Sequence, residues 1–386
     1  MTGALSGVLV ADFSRVLAGP YATMLLADLG AEVVKVEQPG LGDETRAWGP
    51  PYAGGEATYF LGVNRNKRSI ALDLRADVEV ARALAARADV LVENFRPGTM
   101  DRFGLGYEAL RELNPGLVYC SITGFGSGAG AGLPGYDLIA QAVGGLMSVT
   151  GEPDGPGTKA GVAVVDVITG LHAAVGILAA LHHRDHTGSG GRVFGGDPEP
   201  GAGQRVEVSL LTSLLSALTN HSSAYAAAGV VPRAMGNRHP SIVPYEVFQA
   251  ADRAIVIAAG NDRQFRALCA VLDRADLAED PRYATNAGRV AARVPLVAEL
   301  NATLAGRPAD EWFAALTEAG VPCGPINDLA AAFALAEELG LEPSVRIEGT
   351  GQVANPLRLS ATPPSYRRPP PRLGADDAWL REILGR

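Results

Sequence analysis

The chain has 386 residues, of which 47% are hydrophobic and 19% charged, with a formal net charge of −9. This composition describes a globular protein too long for one core, and it excludes both an extensively disordered chain and a nucleic-acid-coating basic surface. An anionic ligand therefore needs a local cluster of Arg, Lys and backbone N–H groups.

In chain order, residues 8–13 read as a short buried strand, and the apolar spacing over 20–29 predicts a helix stopped at Gly30. Residues 32–36 are a second β-branched run. A helix over 78–87 precedes a strand at 89–93 (DVLVE), and 116–122 (GLVYCSI) reads as a further strand. Such alternation predicts an α/β fold, a doubly wound sheet with helices on both faces. A strand, Gly19, a helix, a second strand and Glu37 invite comparison with a dinucleotide-binding unit. The fingerprint needs three glycines, however, and RVLAGPYATMLLADLG supplies only Gly19 in the turn. A phosphate-bearing ligand at that helix start stays open.

Basic residues cluster in two expected loops, NRNKRS (64–69) and ENFRPGTMDRFG (93–104). Each is either a solvated charge group or a ligand contact. The second follows a strand end, where open α/β sheets bind ligands, and it mixes an aromatic face with guanidinium groups.

The stretch 160–181 is long and apolar enough to resemble a membrane span. Asp166, His172 and three glycines inside it point instead to a buried helix of a soluble core, with no membrane partner. Asp166 then needs a reason: either it caps the helix, or it is a carboxylate held at a cleft as acid, base or nucleophile. A helix N-terminus would keep it ionised. His172, six residues on, reads as a core or packing histidine. His182, His183 and His186 read as partners of the helix C-terminus, and no metal site is expected.

Residues 188–204 are Gly/Pro-rich and read as a mobile surface loop. A strand at 205–209 leads into a helix to about 228. From 243 to 334 the texture changes to short strands (254–259) and amphipathic helices, as in a smaller α+β domain. A Pro-rich tail ends in a short helix at 378–384. Cys120, Cys269 and Cys323 form no CxxC, and the N-terminus has no signal-peptide pattern, so a reducing cytoplasm is expected. No GxSxG, P-loop or HExxH motif occurs.

Several long motifs resemble the class III CoA-transferases (family III, CaiB/BaiF type): GVLVADFSRVLAGPYATMLLADLGAEVVKVEQPGLGDETRAW, NRNKRSIALDL, VENFRPGTMDRFGLGY, LNPGLVYCSITGFG, GYDLIAQAVGGLMSVTG, GQRVEVSLL and GVPCGPIND. The likeness covers nearly the whole chain. It implies a Rossmann-like large domain (1–200), a linker helix (201–228), a small domain (229–335) and a C-terminal segment (336–386) returning to the large domain, in an interlocked homodimer. It further implies that Asp166 attacks an acyl-CoA thioester and carries CoA as an aspartyl thioester between mixed anhydrides, with coenzyme A as substrate and neither ATP nor metal needed.

By the same resemblance, CoA contacts fall on Arg15, Val16, Ala18, Asn94, Phe95 and Arg102. Gln38 stands where some members carry Arg, so a phosphate contact there is not implied. Tyr136 and Asp137 match active-site positions, and Gly260 and Asn261 partly match a glycine-rich loop. HPSIVPYEVF, AAGNDRQF and GVPCGPIN look like the succinyl-CoA-dependent dicarboxylate enzymes. Arg233 and Arg238 are then candidates for a distal carboxylate, or else surface charges. The family also holds 2-methylacyl-CoA racemases, which carry a His–Asp motif where this chain has Tyr136–Asp137. Racemisation needs two acid/base groups, so transfer is the expected chemistry. A non-catalytic CoA-binding protein is the remaining alternative.

Overall fold

The computed structural model describes residues 3–187 and 201–385. The chain divides into two compact units, one formed by 1–146, 159–231 and 342–386, the other by 147–158 and 232–341.

The first unit is built on six parallel strands: β1 (Leu9–Asp12), β2 (Glu32–Glu37), β3 (Lys67–Ala71), β4 (Val90–Glu93), β5 (Val118–Thr123) and β6 (Arg205–Ser209). Their spatial order is β3-β2-β1-β4-β5-β6, the doubly wound order whose switch point lies between β1 and β4. Side-chain alternation explains why both faces are covered. Val10, Val33, Val90, Val92, Val118 and Cys120 pack on one face against α1 (Ala18–Asp28) and α5 (Val164–Thr187). Their neighbours Ala11, Val34, Val36, Leu91 and Tyr119 pack on the other against α2 (Val78–Ala85), the segment α3 (Tyr107–Leu113) and the helix Asp377–Leu384.

Helix α5 is, among the described residues, the one helix long and apolar enough to cross a membrane. In this fold Ala173, Ile177, Ala180 and Leu181 are buried against the sheet. Gly170 permits its close approach to α1, since a Cβ there would lie 2.6 Å from the Ala18 carbonyl oxygen. That contact fixes the first turn of α5, which carries Asp166, beside the start of α1.

Three expectations change. The basic run 64–69 is not a loop on the surface: Lys67 begins β3, and Asn64, Arg65, Asn66 and Lys67 are buried. Each cation is paired internally, Arg65 with Asp28 at 2.6 Å and Lys67 with Asp12 at 3.0 Å. The segment 201–228, expected as a linker helix, contributes β6 and then two helices, α6 (Leu210–Ala217) and α7 (Thr219–Ala228), all within the first unit. His172 is exposed rather than core, and its Nδ1 lies 3.0 Å from the Ser213 hydroxyl. The mobile-loop expectation for 188–204 falls mainly on 188–200, outside the described residues.

The second unit has an antiparallel sheet of β7 (Tyr245–Gln249), β8 (Ala254–Ala258) and β9 (Cys323–Pro325). Phe248, Ile255 and Ile257 meet Phe265 of α8 (Asp262–Val271), Leu296 and Leu300 of α9 (Arg293–Leu304), and Trp312 and Leu316 of α10 (Ala309–Glu318) in a separate core.

Candidate active site

The site begins with the turn after β1. Asp12, the last residue of the strand, is fully buried, and its carboxylate accepts from Ser14, from Thr23 at 2.6 Å and from Lys67 at 3.0 Å. Burial would raise its pKa, but Lys67 and Lys35 outweigh that and hold it below the usual carboxylate range. Lys35 donates to the Ser14 carbonyl at 2.9 Å and pairs with buried Asp43 at 2.8 Å. Asp43 in turn accepts from the backbone N–H of Val16 at 3.2 Å. Val16 sits at φ 68°, a left-handed conformation costly for a β-branched residue, on the order of 1–3 kcal/mol. The buried Lys35–Asp43 pair therefore holds a strained turn in place. Gly19 is required there too, because a Cβ would fall 2.2 Å from the Ser14 side chain.

Asn94, just past β4, clamps this turn across the switch point. Its side chain accepts from the Arg15 N–H at 2.9 Å and donates to the Arg15 carbonyl at 2.7 Å. Phe95 lies beneath the Arg15 guanidinium, 5.3 Å from ring centroid to charge. No side chain caps the first turn of α1 and no acidic residue occupies it, which leaves a helix start suited to an anion.

Asp166 is the third residue of α5 and is not the helix cap. That role belongs to Asp137, at the start of α4 (Asp137–Val143), whose Oδ1 accepts from the N–H groups of Val165 at 2.8 Å and Asp166 at 3.2 Å. Gln141 donates to the other Asp137 oxygen at 2.6 Å and accepts from Ala160 N–H at 2.8 Å. Asp137 is thus committed to holding the α5 N-terminus. Asp166 is left half-buried, and burial followed by the charge of Asp137 pushes its carboxyl up to about 7. The positive end of α5 acts in the opposite sense, so the expectation that the helix alone keeps Asp166 ionised needs correction.

A cavity of about 160 Å³ opens over these groups, lined by Arg15, Val16, Ala18, Asn94, Phe95, Tyr136 and Asp166 among others. It lies at the carboxyl ends of β1, β4 and β5, where this topology predicts ligand binding. A larger cavity of about 870 Å³, reaching Gln38, Leu72 and Arg75, shares Arg15, Glu44 and Phe95 with it. Most residues singled out in the sequence therefore converge. Arg102 does not line either cavity; it is exposed and donates to Thr99 at 3.2 Å. Asp137 also lies behind the lining, acting through the helix end.

Four expected residues belong to the second unit. Asn261 caps α8, its Oδ1 accepting from Gln264 N–H at 3.0 Å, and the Gly260 N–H donates to the Gln264 side chain at 2.9 Å. Arg233 is exposed, and half-buried Arg238 donates to the Met235 carbonyl at 2.9 Å. Glu37, the acidic residue after β2, is engaged by Arg46 through two 2.8 Å bonds and by Ser69 at 2.6 Å, so it is spoken for structurally. His186 bonds the His182 carbonyl at 2.9 Å, as a helix-end partner does, and no group of three metal-binding side chains occurs among the described residues.

Sequence reasoning missed Tyr59. Burial and then the carboxylates of Asp166, Asp137 and Asp43 push its hydroxyl up to about 12, and its ring packs edge-on to Trp48 with centroids 5.2 Å apart. Neither spacing nor charge in the sequence marks it, because its neighbours Trp48, Asp43, Asp137 and Asp166 come from segments 11 to 107 positions away.

A family model described as CoA-transferase family III matches residues 5–377. The chain belongs to CoA-transferase family III. It is 44% identical over 394 residues to the succinate–glutarate CoA-transferase of Agrobacterium fabrum, covering 97% of this chain and 94% of that protein. It is 42% identical to the succinyl-CoA:glutarate CoA-transferase of Mus musculus, over 98% of this chain and 86% of that one. Among solved structures, a CaiB/BaiF family protein from Brucella suis superimposes with a TM-score of 0.87 at 40% identity, covering 100% of both chains. The mixed α/β architecture with its parallel central sheet is the one that protein shares.

Proposed function

We propose that this family III enzyme transfers CoA from succinyl-CoA to a second dicarboxylic acid, with Asp166 as the covalent carrier. One Asp166 oxygen attacks the thioester carbonyl carbon, expelling CoA thiolate and forming a mixed anhydride. The thiolate attacks the Asp166 carbonyl carbon, releasing succinate and leaving an aspartyl-CoA thioester. The acceptor carboxylate attacks that thioester and again expels the thiolate, giving a second anhydride. Attack by the thiolate on the acceptor's carbonyl then yields the new acyl-CoA and frees Asp166.

The observation that carries this reading is a half-buried carboxylate on the first turn of a helix, lining the cavity at the switch point. Arg15, Val16, Ala18, Asn94 and Phe95 line the same cavity and are the proposed CoA contacts. The dicarboxylate assignment is supported by the succinate–glutarate relatives, with Arg233 and Arg238 proposed for the distal carboxylate and Gly260 and Asn261 for the closing loop. Racemisation is disfavoured because Asp137 is engaged by two backbone N–H groups and Gln141, and Tyr136 rather than a histidine precedes it.

We further propose a homodimer in the cytoplasm. Support comes from apolar side chains left open on the first unit, among them Val143, Val175 and Tyr225, each more than 60% exposed, and from three free thiols. Incubation with succinyl-CoA followed by borohydride or hydroxylamine and peptide mass analysis tests the mechanism. The expected result is a modification on Asp166. Deuterium wash-in at the substrate α-carbon without CoA exchange would instead identify an isomerase.

A further inference from the structure

The inner and outer cavities meet at three side chains, Arg15, Glu44 and Phe95, which line both. Arg15 and Glu44 form an ion pair across that junction with side chains 45% and 43% exposed. A pair so open to water is weakly held and can exchange partners. The main chain of Arg15 is clamped by Asn94, so only its guanidinium is free to swing, with the Phe95 ring below it as a resting surface. Glu44 is anchored where it stands. It opens the short helical turn Glu44–Ala47, whose first N–H groups are held by Asp43, which accepts from Thr45 at 2.9 Å.

The other cations near the junction are differently placed. Lys35 is locked to Asp43 at 2.8 Å and Arg46 to Glu37 at 2.8 Å, both within buried networks. Of these two cavities, Arg75 lines the outer but not the inner, and Arg96 the inner but not the outer. Arg15 is thus the cation that a ligand spanning both cavities meets midway, and Glu44 already holds it.

We propose that Glu44 is a resident competitor for Arg15, occupying the guanidinium that an anionic oxygen of acyl-CoA must recruit, and so setting how tightly the groove holds that ligand. The pair is exchanged on binding: the ligand anion takes Arg15, and Glu44 is released to water. The benefit to a transferase is release, since a product anion that leaves is replaced at once by an internal one. This inference rests on the reading of the groove as the acyl-CoA site.

Calorimetric titration of CoA into the unsubstituted protein, Glu44→Gln, Arg15→Ala and the double variant tests it. Glu44→Gln is expected to bind CoA about two- to five-fold more tightly, the range of an exposed ion pair, and to lower the KM for acyl-CoA without raising kcat. Arg15→Ala is expected to bind more weakly, and in that background Glu44→Gln should gain less than half as much. A merely structural Glu44 would weaken binding when replaced, which overturns the proposal. An undiminished gain in the absence of Arg15 would reduce Glu44 to a general negative charge, and overturns it as well. No CoA binding by the unsubstituted protein overturns the site reading itself, and this inference with it.

Discussion

Two carboxylates of the first unit are both withdrawn from water, yet they are tuned in opposite directions. Asp12 is fully buried and held below the usual range, while Asp166 is only half-buried and is pushed up to about 7. Burial disfavours the charged form in each. The difference lies in the company: Asp12 faces two ammonium groups and two hydroxyls, whereas Asp166 faces a second carboxylate. The first cluster is internally neutralised and serves the fold. The second is unbalanced, as the carrier role proposed for Asp166 requires.

The largest effect expected is on turnover. Asp166→Asn should lower kcat by at least about a thousand-fold while retaining CoA binding, because the amide cannot form the thioester. Normal turnover in that variant, measured by CoA exchange between dicarboxylates, would break the comparison outright. Next in size, Asp12→Ala leaves Lys67 buried without its carboxylate partner and should cost about 3–5 kcal/mol in denaturant unfolding. A loss below about 1 kcal/mol would show that the cluster is not what holds the turn.

The same Asp166→Asn variant should be more stable than the unsubstituted protein by about 4 kcal/mol at pH 8. A carboxyl whose pKa is raised on folding binds its proton more tightly in the native state, so its ionised form opposes folding above about 7. The gain should therefore shrink as pH falls and vanish below the ordinary carboxylate range, which thermal melts at several pH values will read. The smallest effect sharpens the cause. Asp137→Asn keeps an oxygen to cap α5 but removes the negative charge, so the acid limb of kcat/KM, expected near pH 7, should move down by about one unit. An unmoved limb would assign the shift to burial alone.

How much of this was legible in the sequence follows from what each feature depends on. Strands β1, β2, β4, β5 and β6 and helices α1, α2 and α5 were readable because their signal is local periodicity. Strand β3 was hidden, since Lys67 and Arg68 look like surface charges until Asp12, Glu32 and Asp376 are brought alongside. Asp166 was visible as a misfit in an apolar run, but only the fold decides that Asp137 and not Asp166 is the cap. Tyr59, Asp43 and Glu44 carried no local signal at all, because their roles come from non-local neighbours. Arg102 shows the converse: a matching motif position whose side chain lines neither cavity.

The sealing of β3 carries a last consequence. Its outer N–H groups at Ser69 and Ala71 donate to the carboxylates of Asp376 at 3.0 Å and Asp377 at 2.8 Å, 307 and 306 positions later. An open strand edge is a template for unwanted pairing. During synthesis that edge emerges early, and its cover emerges only after the whole second unit has been made. The growing chain therefore passes through a long interval in which one border of its sheet is unguarded, and its final segment acts as the closing stitch. Loss of the last dozen residues should accordingly show itself less as lost activity per folded molecule than as poor recovery of soluble protein.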